Sequence, residues 1–253
     1  MYRVLIRFYE ELNFFLKDQE KHRDLPVAFP GRRSMKDLIE SLGVPHVEVD
    51  LILVNGNPVA FDYIVQDGDR ISVYPEFEGL DITGVTPLKD RPLRHTAFVA
   101  DVHLHTLARK LRMLGFDTDY EKHRDDDILA AISQQEKRVL LTRDRQLLMR
   151  KNVSRGLYIR STDPDTQVRE VLHRLDLYRH LTPFRRCVVC NALIEPLETD
   201  NPDYLRLLKS VPREILTRYK DFRYCPVCRR VYWKGRHVEK MEAFIASLKP
   251  EDQ

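Results

Sequence analysis

All four cysteines of the chain fall in its last third, as Cys187-x₂-Cys190 and, after 34 intervening residues, Cys225-x₂-Cys228. Each Cys-x-x-Cys turn aims two thiolates at one point, and two such turns supply the tetrahedral sulfur set that Zn²⁺ takes in structural sites. A redox dithiol or a pair of disulfides is the competing use, and disulfides are disfavoured in a reducing compartment. The spacing therefore requires "FRRCVVCN" and "YCPVCRRVYW" to meet in space, as the two knuckles of a zinc ribbon. With cysteine at all four positions the metal is expected to be structural, not catalytic.

The compartment is inferred from what precedes this segment. No apolar run reaches the roughly 20 residues that cross a bilayer. Charges interrupt "MYRVLIRFYEELNFFL", so a signal peptide is not expected, and the expectation is a cytoplasmic protein without membrane partners. Charge is unevenly placed. Residues 1–80 hold 9 Lys and Arg against 14 Asp and Glu (−5), residues 81–180 hold 19 against 15 (+4), and residues 181–240 hold 13 against 7 (+6). The basic part can attract a polyanion such as RNA, although ordinary solvated surface charge accounts for the counts equally well.

Residues 1–80 read as a small mixed domain. "YRVLIRFY" alternates as a half-buried strand does. In "SMKDLIESLGV", Ser34 can cap a helix, Leu38, Ile39 and Leu42 form its face, and Gly43 ends it. Two later strands carry the turn signals Asn55-Gly56 and Asp67-Gly68. Strand, strand, helix, strand, strand in this length describes a β-grasp domain. "VNGNPV" and "DGDRISVYP" resemble the ubiquitin-like sulfur carriers, which end in an exposed Gly-Gly. Here the corresponding "PEFEGLDITG" has Gly79 alone and the chain continues. A binding or regulatory module with a protein partner is expected instead of a carrier. Residues 81–95 read as a linker.

Residues 96–182 alternate short apolar strands with helices, the mark of parallel βαβ units. "TAFVAD" ends on Asp101 and "RVLLTRD" on Asp144. Ligands of open parallel sheets bind outside the carboxyl ends of the strands, so both acids are expected at one edge. Asp125, Asp126 and Asp127 open the next helix and can face the same cleft. Carboxylates gathered in this way repel unless a cation compensates, and hard oxygen donors select Mg²⁺ or Mn²⁺. Each acid also has a plainer use as a helix cap, Asp144 for "RQLLMRK" among them.

"DVHLH" poses a rival. Asp101, His103 and His105 alternate as in the histidine-metal phosphoesterases of the polymerase-and-histidinol-phosphatase type. Yet Leu104, Leu107, Leu111 and Leu114 recur at helical spacing through the stretch. Residues two apart on a helix do not face each other, so one metal does not hold both histidines. Asp101 is the expected ligand, with His103 within reach of RNA.

"FVADVHLHTLARKLRMLGFDTDY", "DDDILAAISQQEKRVLLTRDRQLL" and the two cysteine knuckles together resemble the Mut-seven C-terminal RNase family. Members of that family are PIN-like nuclease domains with an appended zinc ribbon, some bacterial ones with an N-terminal β-grasp domain. The resemblance implies a β-grasp domain over residues 1–80, a PIN-like α/β parallel sheet over 96–182 and a zinc ribbon with a C-terminal helix over 183–253. It implies a ribonuclease that hydrolyses phosphodiester bonds with Mg²⁺ or Mn²⁺ held by Asp101, Asp144 and a middle acid, placed at Asp126 among Asp125 to Asp127. Thr142 is implied as a partner of an acid or of metal-bound water, and Asp163 or Asp165 as a fourth acid. Arg143 and Arg145 are candidates for phosphate contact. In the ribbon Arg185, Arg186, Arg223, Arg229, Arg230, Lys234 and Arg236 accompany Tyr224, Tyr232 and Trp233, a mixture that grips phosphates and stacks bases. Trp233 serves equally well as ribbon core, and His237 is a spare ligand where four cysteines suffice. A non-catalytic RNA-binding adaptor is the alternative, and nothing in the sequence specifies an oligomeric state.

Overall fold

The computed structural model describes residues 1–75 and 96–248. The expected linker at 81–95 and the stretch around Gly79 lie outside the described residues. The first part of the chain forms β1 (Tyr2–Phe8), β2 (Leu25–Phe29), α1 (Met35–Ser41), β3 (Leu51–Val54), β4 (Asn57–Pro58) and β5 (Arg70–Tyr74). Next come β6 (Ala97–Ala100), α2 (His105–Met113), β7 (Asp117–Tyr120), α3 (Asp126–Gln135), β8 (Val139–Thr142), α4 (Arg145–Leu148), β9 (Gly156–Tyr158) and α5 (Pro164–Arg174). The last part holds β10 (Glu195–Pro196), α6 (Tyr204–Leu208), α7 (Arg213–Arg218), β11 (Phe222–Tyr224), β12 (Val231–Trp233) and α8 (Arg236–Ala246). By compactness the chain divides into two units, Met1–His103 with His123–Arg160, and Leu104–Lys122 with Ser161–Gln253.

In the first unit β1 to β5 make a mixed sheet in the order β2-β1-β5-β3-β4. β1 runs antiparallel to β2 and parallel to β5, while β3 runs antiparallel to both β5 and β4. The alternation of β1 turns Val4, Ile6 and Phe8 inward, where they meet Met35, Leu38 and Ile39 of α1. Ser34 caps that helix by accepting the Asp37 N–H at 3.2 Å. The Asn55-Gly56 turn closes β3 onto β4 with both residues at positive φ, 51° and 85°. Buried Asp69 gathers the loops, accepting from Gln66 N at 2.8 Å, Tyr63 Oη at 3.1 Å and Asn55 Nδ2 at 3.2 Å. This is the ubiquitin-like arrangement read from the sequence.

The same unit contains the parallel ribbon β6-β8-β9, in which Ala100 pairs with Leu141 and Thr142 with Tyr158. Its strands read as nearly continuous apolar runs because helices cover them. Leu129 and Ala130 of α3 and Leu147 and Leu148 of α4 pack on Val99 and Leu140. Val47 from the ubiquitin-like part joins that core. The His46 ring lies 3.0 Å from the Val153 carbonyl, and Glu48 accepts the Tyr158 N–H at 2.6 Å.

In the second unit α2 packs against β7 and α5. Leu107 and Leu111 of α2 are fully buried, as the leucine spacing requires. The helix begins at His105, after a 3₁₀ turn over Val102–Leu104, slightly later than the leucine pattern implies. β10, β11 and β12 form an antiparallel ribbon. The 34 residues between the knuckles, polar in sequence, contain α6 and α7. Leu207, Ile215 and Leu216 pack there with Phe222, Val231 and Trp233, so the tryptophan belongs to the ribbon core. Among the described residues no helix is long and apolar enough to cross a membrane.

Gly115 ends α2 at φ +100°, and a Cβ there would come within 2.2 Å of the Thr182 carbonyl oxygen. That close approach accompanies the Thr182 N–H bond to Leu114 O at 2.9 Å. Gly115→Ala is therefore expected to destabilise the protein by about 2–4 kcal/mol, combining left-handed strain with a backbone clash. Urea denaturation measures it, and a change within error would show that the turn relaxes freely.

Candidate functional site

Asp101 follows the last residue of β6, and its N–H bonds Leu141 O at 3.0 Å, continuing the parallel register. The side chain is 5% exposed, and its Oδ2 accepts the Thr142 hydroxyl at 2.6 Å. Having donated to Asp101, the same hydroxyl accepts the Asp144 N–H at 2.9 Å. Asp144, exposed, caps α4: its Oδ1 accepts from Gln146 N at 2.7 Å and Leu147 N at 3.4 Å. One hydroxyl thus links the acids at the ends of neighbouring parallel strands. Among the described residues, the second carboxylate oxygen of each acid has no protein hydrogen-bond partner. Those two oxygens are hard donors of the kind a divalent cation takes.

The middle acids start α3. Asp125 holds the N-cap position, but only its carbonyl accepts from the first turn, from Ile128 N and Leu129 N. Asp126 is half-buried, while Asp125 and Asp127 are exposed. Arg150 lies 3.7 Å from Asp126 and also pairs with Asp127. Sequence reasoning did not single out Arg150, whose only signal is a basic residue closing "LLMR". Asp163 caps α5 in the second unit. Its pKa is lowered chiefly by the Thr166 N–H and then by the Thr166 hydroxyl, both 2.8 Å away. Asp165 pairs with Lys110 at 2.6 Å.

The candidate RNA contacts are differently placed. His103 is exposed in the turn after Asp101, and Arg143 is half-buried. Arg145 lies over the rings of Phe14, Phe15 and Tyr158 and donates to Phe15 O at 3.1 Å, a packing role within the first unit. In the ribbon Arg186 pairs with Asp117 at 3.4 Å, Arg223 reaches Phe184 O at 3.4 Å and Arg229 pairs with Asp203. Arg185, Arg230, Lys234 and Arg236 are exposed.

The four cysteine sulfurs all lie within 4.8 Å of one another, and among the described residues they form the group of three or more ligand side chains that can hold a metal. The carboxylates of Asp101, Asp126 and Asp144 do not converge to that degree. The cysteines are not joined as disulfides. Sulfur separations of 3.5 Å (Cys187–Cys228) and 3.3 Å (Cys190–Cys225) approach the edge of about 3.8 Å for a tetrahedron with metal–sulfur bonds of about 2.3 Å. The two knuckles repeat one design. Cys190 N and Cys228 N each point at the preceding cysteine sulfur at 3.4 Å, and Asn191 and Arg229 close the turns at positive φ, 70° and 59°.

The thiols are not equivalent. Burial raises the pKa of Cys187, but hydrogen bonds from the Tyr232 hydroxyl and the N–H groups of Cys190 and Val189 outweigh it and bring the thiol to about 6. Burial pushes Cys228 up to about 12. Arg112 of α2, 3% exposed, braces the first knuckle by donating to Val189 O at 2.7 Å and to Thr118 O at 2.8 Å. Burial lowers its pKa, against the pull of Asp119. Asn191 completes the brace, accepting Thr118 N at 3.1 Å and donating to Asp117 at 2.8 Å.

A ubiquitin-like sheet, a parallel sheet with acids at its strand ends and a four-cysteine ribbon define a multidomain α/β protein. Residues 96–245 match the Mut7-C RNAse domain and residues 1–81 match Mut7-C ubiquitin. The chain belongs to the Mut7-C RNAse domain family, with that family's ubiquitin-like domain at its N-terminus. No curated protein and no solved structure matches it.

Thr142→Val keeps the shape of a fully buried side chain while removing both hydroxyl bonds. It is expected to cost about 1–3 kcal/mol, because the buried Asp101 carboxylate loses its donor. Equilibrium unfolding of the two proteins would show it, and equal midpoints would mean that solvent replaces the hydroxyl without cost.

Proposed function

We propose that this protein is a metal-dependent ribonuclease that hydrolyses RNA phosphodiester bonds at the carboxyl ends of β6 and β8. The observation that carries this reading is the Asp101–Thr142–Asp144 bridge, which orients two strand-end acids and leaves each with an uncommitted oxygen. Asp101, Asp144 and Asp126 are the residues that would hold the metal, the third now facing Arg150 at 3.7 Å. Mg²⁺ or Mn²⁺ bound there supplies Lewis acidity towards water and the scissile phosphate. Thr142 holds the Asp101 carboxylate in one orientation. His103 and Arg143 are the proposed phosphate contacts beside the acids. Asp163 and Asp165, engaged by the α5 cap and by Lys110, are left out of the metal set.

The four cysteines are proposed to hold one structural Zn²⁺. The functional division follows the sequence: residues 1–80 recruit a protein partner, 96–182 carry the chemistry, and 183–253 bind RNA through exposed residues such as Arg230, Lys234 and Arg236. Purified protein is expected to contain one zinc per chain by elemental analysis, lost in Cys225→Ser. An RNA-binding adaptor is the second reading, favoured by the pairing of Asp126 and Asp127 with Arg150.

End-labelled RNA incubated with Mg²⁺ or Mn²⁺ distinguishes the two. Cleavage is expected, reduced at least about a hundredfold by Asp101→Asn or Asp144→Asn, with the zinc content unchanged. Full activity in Asp144→Asn would remove the proposed centre. RNA binding without cleavage in either metal would establish the adaptor. Sequencing the RNA ends made by wild type, and absent with Asp144→Asn, identifies the substrate and the polarity of attack.

A further inference from the structure

Within the second unit, α2 and α8 line an open cleft of about 310 Å³ that no part of the proposed metal centre uses. Its floor is apolar, formed by Met113 of α2 with Met241 and Phe244 of α8. Its rim is basic. Arg109 projects from α2, His237 and Lys240 from α8, and all three are exposed. Among the described residues no acidic side chain lines the cleft.

The cations of this cleft fall into two classes. Lys110 is neutralised by Asp165 at 2.6 Å, and its ammonium rests over the Phe244 ring at 4.1 Å, which fixes the floor. Arg109 and Lys240 form no ion pair among the described residues, so their charge is available to a ligand. Two facing helices thus hold uncompensated positive charge above a thioether and aromatic surface. Arg236, exposed in the first turn of α8, stands four residues before Lys240 and so on the same side of the helix.

We infer that the α2–α8 cleft binds single-stranded RNA, with phosphates on Arg109 and Lys240 and a base against the Met113–Met241–Phe244 floor. A strand of RNA repeats an anionic phosphate beside a flat apolar face, and this matches rim and floor together. An acidic peptide matches the rim but brings no regular apolar partner for the floor. The inference rests on the ribonuclease reading for its choice of polyanion. It assigns the cleft the task of holding substrate, separate from the chemistry at Asp101 and Asp144.

The test uses the full chain carrying Asp144→Asn, without Mg²⁺ or Mn²⁺, and a short fluorescein-labelled oligouridylate followed by anisotropy. Adding Arg109→Ala and Lys240→Ala is expected to weaken binding on the order of tenfold and to reduce the slope of log affinity against log salt by about 1.4. Both residues are exposed, so an unchanged melting temperature is expected to accompany the loss. Unaltered affinity and salt slope would overturn the inference. So would displacement of the RNA by inorganic polyphosphate of equal charge, or by an acidic peptide, as effectively as by unlabelled RNA. The two readings fail separately. Wild type that never cleaves, with RNA binding still dependent on Arg109 and Lys240, refutes the nuclease and keeps the cleft. Metal-dependent cleavage with cleft-independent binding does the reverse.

Discussion

A charged side chain removed from water must be met by partners, and that constraint organises both units of this protein. Asp101, at 5% exposure, is met by the Thr142 hydroxyl, and in turn Thr142 positions the backbone of Asp144. Asp69 gathers three donors and so closes the loops of the ubiquitin-like sheet. Arg112 reaches two carbonyls and so sets the first cysteine knuckle against α2 and β7. Asp101 and Arg112 in this way fix chain distant in sequence, and Asp69 fixes the loops around it.

The same logic applies where the ubiquitin-like part meets β8 and β9 in the first unit. His46 touches Glu40 at 2.7 Å through Nδ1 and the Val153 carbonyl at 3.0 Å through Nε2. Glu48, at 4% exposure, accepts the Tyr158 N–H, and Arg145 lies over Phe14, Phe15 and Tyr158. Arg145 neighbours Asp144, and Tyr158 pairs with Thr142. The residues that hold the ubiquitin-like part therefore adjoin the strand ends that carry the acids.

Legibility varied with the range of the signal. β1, β3, β5 and α1 were legible because alternation, the Ser34 cap and the Asn55-Gly56 turn are local, whereas no local signal marked β2. The strand-end position of Asp101 and Asp144 was legible because apolar runs stop abruptly at them. The helices α6 and α7 were not, since each is short and its apolar residues acquire a face only against Phe222 and Val231. Arg145 read as a phosphate contact because a basic residue beside an acid looks solvent-directed. Its aromatic partners Phe14 and Phe15 lie 131 and 130 residues away in sequence, beyond any periodicity.

By itself the sequence determined the ubiquitin-like sheet, the four-sulfur cluster and the two acids expected at neighbouring strand ends. Each of these is written in spacing: two Cys-x-x-Cys turns, apolar strands that end on aspartate, and the period of a helix face. Only the tertiary structure decided which cations were already committed. Arg145 and Arg112 were bound internally, Arg150 was set against Asp126 and Asp127, and Arg109 and Lys240 were left on an open cleft. A charge carries no periodicity of its own, and whether it faces a ligand or the protein depends on contacts far apart in the chain.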